Sequence, residues 1–131
     1  DINWISRGGN IAIIGYGPIL SEAESIVKDL KKINKEISIL SVIKFSPFDT
    51  KVLKSLIKNG IKHLIVLEEH YSSSGLFSKI SEIVLRENLK FESIKPFGLE
   101  DKFINLLGKQ NYMRAKFKID SSSLYNYIVS I

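Results

Sequence analysis

The chain has 131 residues, 44% hydrophobic and 25% charged, with a net charge of +5 and no cysteine. A length near the common range of about 100–200 residues per domain and an ordinary globular composition read as one domain, and they exclude a collagen-like rod, a coiled coil and a disordered tail. Without cysteine there is no disulfide scaffold, thiolate zinc site or cysteine nucleophile.

No apolar run reaches the roughly 18–20 residues that span a bilayer, and no charged-then-apolar leader opens the chain; a cytoplasmic location is the expectation. The only methionine is Met113, so Asp1 is expected to lie inside a longer reading frame or to follow a removed segment. The basic excess falls in residues 51–131, where thirteen Lys and Arg stand against eight Asp and Glu. Its densest piece is Arg114, Lys116 and Lys118, spaced by two and therefore on one face if extended. A nucleic-acid surface needs a wider basic stripe with interleaved aromatics or a known module. These lysines read as solvated surface, with neither nucleic acid nor membrane expected as a partner.

In chain order, Ile2-Asn3-Trp4-Ile5, turned by Gly8-Gly9-Asn10, suggests an antiparallel edge strand. Ile11-Ala12-Ile13-Ile14 is a short buried strand ended by Gly15-Tyr16-Gly17-Pro18. Ser21 and Glu24 form a capping-box pattern for a helix with Ala23, Ile26, Val27, Leu30 and Ile33 on one face. A second strand runs from Ile37 to Ile43 and closes at Ser46-Pro47. Val52, Leu53, Leu56 and Ile57 mark a helix stopped by Asn59-Gly60.

Leu64-Ile65-Val66-Leu67 is a third strand buried on both faces, and Ser72-Ser73-Ser74-Gly75 leads into a helix with Leu76, Ile80, Ile83 and Val84 on one stripe. A weaker strand lies around Phe91 to Ile94, ended by Pro96. A short helix follows at Phe103, Leu106 and Leu107 before Gly108, and a last helix after 121–123 carries Leu124, Tyr127, Ile128 and Ile131. Alternating strands and helices with strands this apolar predict a three-layer α/β/α domain with a mostly parallel, mixed five-stranded sheet.

In open α/β sheets ligands sit beyond the carboxyl ends of the strands. The first such loop, Gly15-Tyr16-Gly17-Pro18-Ile19-Leu20, opens like a dinucleotide fingerprint but lacks the third glycine. Pro18 also removes an amide that a pyrophosphate would use; the loop reads as a strand-to-helix turn. The third loop, 68–75, holds the candidate residues facing a ligand or partner: Glu68, Glu69, His70, Ser74 and Gly75. Two carboxylates and an imidazole at a strand end suit acid–base work, and the serines and Gly75 open a helix whose amides can hold an anion. In the plainer alternative, Glu68 and Glu69 satisfy loop amides and lysines while His70 is partly exposed. His63 precedes the strand and belongs at the opposite end of the sheet from His70, which argues against a shared metal site. In the fourth loop Phe97, Leu99 and Phe103 read as packing a loop onto the domain or a neighbour. No Ser–His–acid order or phosphate loop stands out.

Several segments, taken in order, resemble the C-terminal domain of transketolase. They are Asn10-Ile11-Ala12-Ile13-Ile14-Gly15-Tyr16-Gly17-Pro18, Glu22-Ala23, Lys44-Phe45-Ser46-Pro47-Phe48-Asp49 and Val66-Leu67-Glu68-Glu69-His70. Phe97-Gly98-Leu99-Glu100-Asp101-Lys102-Phe103, the following Gly108 and the closing Ile119-Asp120 continue the series. The resemblance covers about Arg7 to Ile128, and Glu-Glu-His looks most like the short or split transketolases. It implies an enzyme that moves a two-carbon ketol unit between sugar phosphates with thiamine diphosphate and a divalent cation (Mg or Ca).

In that family the cofactor is held by an N-terminal and a middle domain of a dimer. The C-terminal domain supports assembly, so a piece of this kind is expected to bind no cofactor and to be inactive alone. Its implied partners are the N-terminal and middle domains or subunit, in a homodimer of the full enzyme. The family's Gly-Gly-Leu-Gly-Ser turn is here Ser74-Gly75-Leu76-Phe77-Ser78, two glycines short. Related domains close 1-deoxyxylulose-5-phosphate synthases and 2-oxo acid dehydrogenase beta subunits. Those remain alternatives, as does a non-catalytic module binding a small anion or regulating a partner on the same fold. Trp4, Tyr16 and Phe97 are the apolar residues expected to mark the partner surface.

Overall fold

The computed structural model describes residues 2–44, 47–99 and 114–131. Its sheet has five strands: β1 (Ile2–Ser6), β2 (Ile11–Gly15), β3 (Ile37–Val42), β4 (His63–Tyr71) and β5 (Ser93–Leu99). They lie in the order β1-β3-β2-β4-β5. β2, β3, β4 and β5 are mutually parallel, and β1 is antiparallel to β3. The helices are α1 (Leu20–Glu24), α2 (Val27–Lys32), α3 (Thr50–Lys58), α4 (Leu76–Arg86) and α5 (Ser121–Ser130).

Side chains alternate across a strand, and here that alternation sorts the core into two layers. Ile11, Ile13, Ile65, Leu67 and Phe97 join α1, α2 and α5 through Ala23, Leu30, Leu124 and Ile128. Ala12, Ile14, Leu64 and Val66 face the other way, onto Leu53 and Leu56 of α3 and Leu76, Ile80 and Ile83 of α4. The α/β/α sandwich and its mixed five-stranded sheet are those expected.

Local chemistry moved several boundaries. The Ser21–Glu24 capping box does not form, because winding already begins at Pro18, whose fixed φ suits a first helical position. The Ser21 amide and hydroxyl both donate to the Pro18 carbonyl. The helix then divides at Ser25, whose hydroxyl donates to Glu22 O and competes with the helical ladder. α3 is capped by Asp49, which accepts from Lys51 N at 3.0 Å, and α5 by Asp120.

β5 continues through Pro96 where a stop was expected; an edge strand tolerates a missing N–H that a central one would not. Residues 114–116 are helical rather than extended, which separates Arg114 from Lys116 and Lys118. Arg114 is 4% exposed and is not solvated surface. The short helix expected around Phe103 lies outside the described residues.

Candidate functional site

The parallel strands present their carboxyl ends together. From β2 the chain leaves toward β3 through α1 and α2 on one face, and from β4 toward β5 through α4 on the other. The crevice beyond Gly15 and Leu67 is therefore the place where the winding reverses. β2 and β4 approach closely there: a Cβ on Gly15 would collide with Leu67 O, so the position requires glycine.

β4 runs on to Tyr71, past the expected end at Leu67, and is irregular over its last turn. Leu67 pairs with Phe97 and Tyr71 with Leu99, so four steps of β4 oppose two of β5. Such a bulge re-aims side chains. Glu68 falls on the α4 side with Leu64 and Val66 and has no exposed surface. Its Oε2 accepts from Leu76 N at 2.7 Å and from the Tyr16 hydroxyl at 3.2 Å, and Oε1 accepts from Phe77 N at 3.1 Å.

Glu68 thus supplies the negative charge that the amino end of α4 attracts, and satisfies two of the amides a helix start leaves open. The carboxylate also explains two glycines. A Cβ on Gly75, at the N-cap of α4, would collide with it, and one on Gly98 would meet Ser72 Oγ and the Glu68 side chain. Tyr16 reaches across the crevice, and its hydroxyl is pushed up from 10.0 to about 12, first by burial, then by the charge of Glu68 and its hydrogen bond. The phenol is therefore a proton donor throughout the neutral range.

Glu69 points the other way, and its Oε1 lies 2.6 Å from Arg114 Nη2. Arg114 is buried, and its Nε has no hydrogen-bond partner among the described residues. The two neighbouring carboxylates are thereby committed to different partners. His70 Nε2 stands 3.4 Å from Ser74 Oγ, both at the surface. Gly75 is buried, with Leu76 beginning α4. At the other end of β4, His63 Nδ1 lies 2.7 Å from Ser93 Oγ and its Nε2 3.5 Å from Glu92.

Of the sequence-expected loop, the structure joins Glu68 to Gly75 and His70 to Ser74. It adds Tyr16, Gly98 and Arg114, which composition had not tied to the loop; counting parity along β4 from Leu64 would have separated Glu68 from Glu69. Trp4, Tyr16 and Phe97 do not form an exposed apolar surface. Phe97 is core, Tyr16 turns its hydroxyl to Glu68, and half-buried Trp4 lies under the Arg7 guanidinium at 4.2 Å. Each found a partner within the domain.

The fold and this self-filled crevice define a doubly wound α/β domain whose strand-end site is closed by its own side chains. The transketolase C-terminal domain family matches residues 1–97, and the chain belongs to it. An apulose-4-phosphate transketolase component from Actinobacillus succinogenes is 27% identical over 131 residues, all of this chain and 42% of that protein. A 1-deoxy-D-xylulose-5-phosphate synthase of Histophilus somni (strain 2336) is 28% identical across 95% of this chain and 19% of its own length.

Among solved structures, a split gene transketolase described as an inactive beta4 tetramer superposes with a TM-score of 0.81 and 17% identity. The match covers 94% of this chain and 39% of that one. Transketolase from Campylobacter jejuni superposes at 0.69 with 16% identity, covering 99% and 18%. These structural likenesses establish a shared fold, and the chain spans less than half the length of each of these proteins.

Proposed function

We propose that this chain is the C-terminal domain, or the C-terminal part of a subunit, of a transketolase-type enzyme that transfers a two-carbon ketol unit between sugar phosphates. Its own work is assembly: supporting the neighbouring domain or subunit and the dimer, as part of carbohydrate metabolism in the cytoplasm. The observation that carries the reading is the alignment of the whole chain with 42% of a transketolase component, together with the family match.

The inward commitment of the strand-end groups supports a scaffolding role. Glu68, Tyr16 and the first amides of α4 satisfy one another, and Glu69 holds Arg114. Among the described residues no group of three or more metal-ligating side chains converges, and no helix is long and apolar enough to cross a membrane. The N-terminus of α4, which would otherwise be open to a diphosphate, is held by Glu68. The described residues do not fit thiamine diphosphate and its cation, and the reading assigns both to other segments of the longer enzyme.

The test is to express the chain with and without the remainder of its reading frame. The complete assembly should catalyse ketol transfer and sediment as a dimer, and the isolated chain should be inactive. Loss of association between chain and remainder, or activity of the chain alone, would refute the reading. A second reading has its own support, since several relatives are 1-deoxy-D-xylulose-5-phosphate synthases. Formation of 1-deoxy-D-xylulose 5-phosphate by the complete protein, without ketol exchange, would decide for it.

A further inference from the structure

α2, α3 and α4 end on the same main-chain cap. The amides of Asn34, Gly60 and Asn88 donate to Lys31 O, Ile57 O and Leu85 O at 3.0, 3.1 and 3.4 Å. The next amides, of Lys35, Ile61 and Leu89, donate to Leu30 O, Leu56 O and Val84 O at 2.9, 3.0 and 3.0 Å. This is the Schellman arrangement, whose turning residue takes a positive φ. Asparagine fills that place after α2 and α4, at 60° and 53°. After α3 the place belongs to Gly60, at 89°, and the asparagine, Asn59, stands one residue earlier.

That shift of one residue changes the chemistry. The side-chain carbonyl carbon of an asparagine can be attacked by the backbone nitrogen of the next residue, closing a five-membered imide, and a bulky next side chain crowds the approach. Of the eight asparagines only Asn59 precedes a glycine; Lys35 and Leu89 follow the two other capping asparagines. Asn59 and Gly60 are both exposed. Beyond its chain neighbours, no described heavy atom comes within 4 Å of where a Cβ on Gly60 would stand. Two hydrogen bonds restrain the pair: Gly60 N donates to Ile57 O at 3.1 Å and Asn59 Nδ2 to Ser55 Oγ at 3.3 Å. Both belong to the last turn of α3, and helix ends are where a ladder frays first.

We propose that Asn59 is a site of spontaneous covalent modification, gated by the last turn of α3. When that turn opens, Gly60 N bonds to Asn59 Cγ, the Cγ–Nδ2 bond breaks, and Nδ2 leaves as ammonia with the proton that Gly60 N gives up. Water then opens the imide at either carbonyl, giving aspartate or isoaspartate. Isoaspartate adds a methylene to the main chain between residues 59 and 60, which spoils the spacing of both cap bonds. It also strains the anchorage of Ile61, which is buried beside Leu56 in the layer under α3. Aspartate places a carboxylate at the negative end of the α3 dipole. Either product loosens the joint between α3 and β4, so the chain carries a slow clock for its own ageing. The site stands independently of which enzyme the chain completes.

The test is to age the protein made from its whole reading frame for weeks in neutral buffer at physiological temperature, and to map its peptides by mass spectrometry. Labelling with isoaspartyl methyltransferase separates the two products. Asn59 should convert to aspartate and isoaspartate while Asn34 and Asn88, held in the same cap, stay intact. The converted fraction should melt below the fresh protein. Unfolding in urea should speed the conversion severalfold, because it removes the gate. Asn59→Gln, whose longer side chain would have to close a larger ring, should melt like the parent and gain no such product. An intact Asn59, equal conversion at Asn34 and Asn88, or the same rate in folded and unfolded protein would overturn the proposal.

Discussion

Two neighbouring regions at the carboxyl edge of the sheet differ in how they treat charge. In the crevice between β2 and β4 the protein fills the space itself: a buried glutamate takes two helix amides and a tyrosine hydroxyl, and two glycines make room for it. One strand further, between β5 and α5, lies a cavity of about 890 Å3 with Lys95 and Lys118 in its lining. The fold rule that places ligands at the point of reversed winding thus points to a crevice which, in this chain, is part of the scaffold. Topology nominates a position; the satisfaction of its polar groups decides whether it is available.

The sharpest way to break the contrast is to remove the internal anion. Glu68→Ala removes the acceptor of two helix amides and of the Tyr16–Glu68 hydrogen bond, and should cost about 3 kcal/mol or more in denaturant unfolding. Glu68→Gln, which keeps one acceptor, should cost less. Gly75→Ala should lose about 1–3 kcal/mol through overpacking against the Glu68 carboxylate. That loss should largely vanish in a Glu68→Ala background, a coupling that equilibrium unfolding of the four proteins in the cycle would measure. An unchanged penalty would mean that the two residues do not compete for space.

Arg114→Met tests the opposite side of β4. It should cost about 2 kcal/mol, at the low end for a buried pair because Glu69 keeps partial contact with water. Tyr16→Phe is the smallest change, about 1 kcal/mol for one hydrogen bond. It should also remove a phenol that ionises above the ordinary range when ultraviolet absorbance is followed against pH. Because that pKa is raised from 10.0 to about 12, the contribution of Tyr16 is fully present below about pH 10 and is lost as pH climbs to about 12. Parent and variant should therefore converge in stability at the alkaline end.

Much of the architecture was legible because the strands are so apolar. Ile11 to Ile14 and Leu64 to Leu67 are buried on both faces, the pattern typical of a parallel sheet covered by helices. The site was legible in position but not in role. Glu68, Glu69 and His70 stand together in sequence, yet Glu68 takes the first amides of α4 while Glu69 takes Arg114. Their partners, Tyr16 and Arg114, lie 52 and 45 residues away, and no local pattern links them. The Ser21 capping box failed for a related reason: Pro18 starts the helix earlier, and side-chain caps elsewhere come from Asp49 and Asp120.

The central claim is that Glu68 holds the amino end of α4 closed, and amide hydrogen exchange at Leu76 and Phe77 tests it most directly. First-turn amides of a helix ordinarily lack an intrahelical acceptor and exchange rapidly. The account predicts that these two are protected like amides in the interior of α4, and that Glu68→Ala abolishes the protection. Exchange in the parent protein at the rate of open peptide would contradict it and leave the crevice available to a ligand.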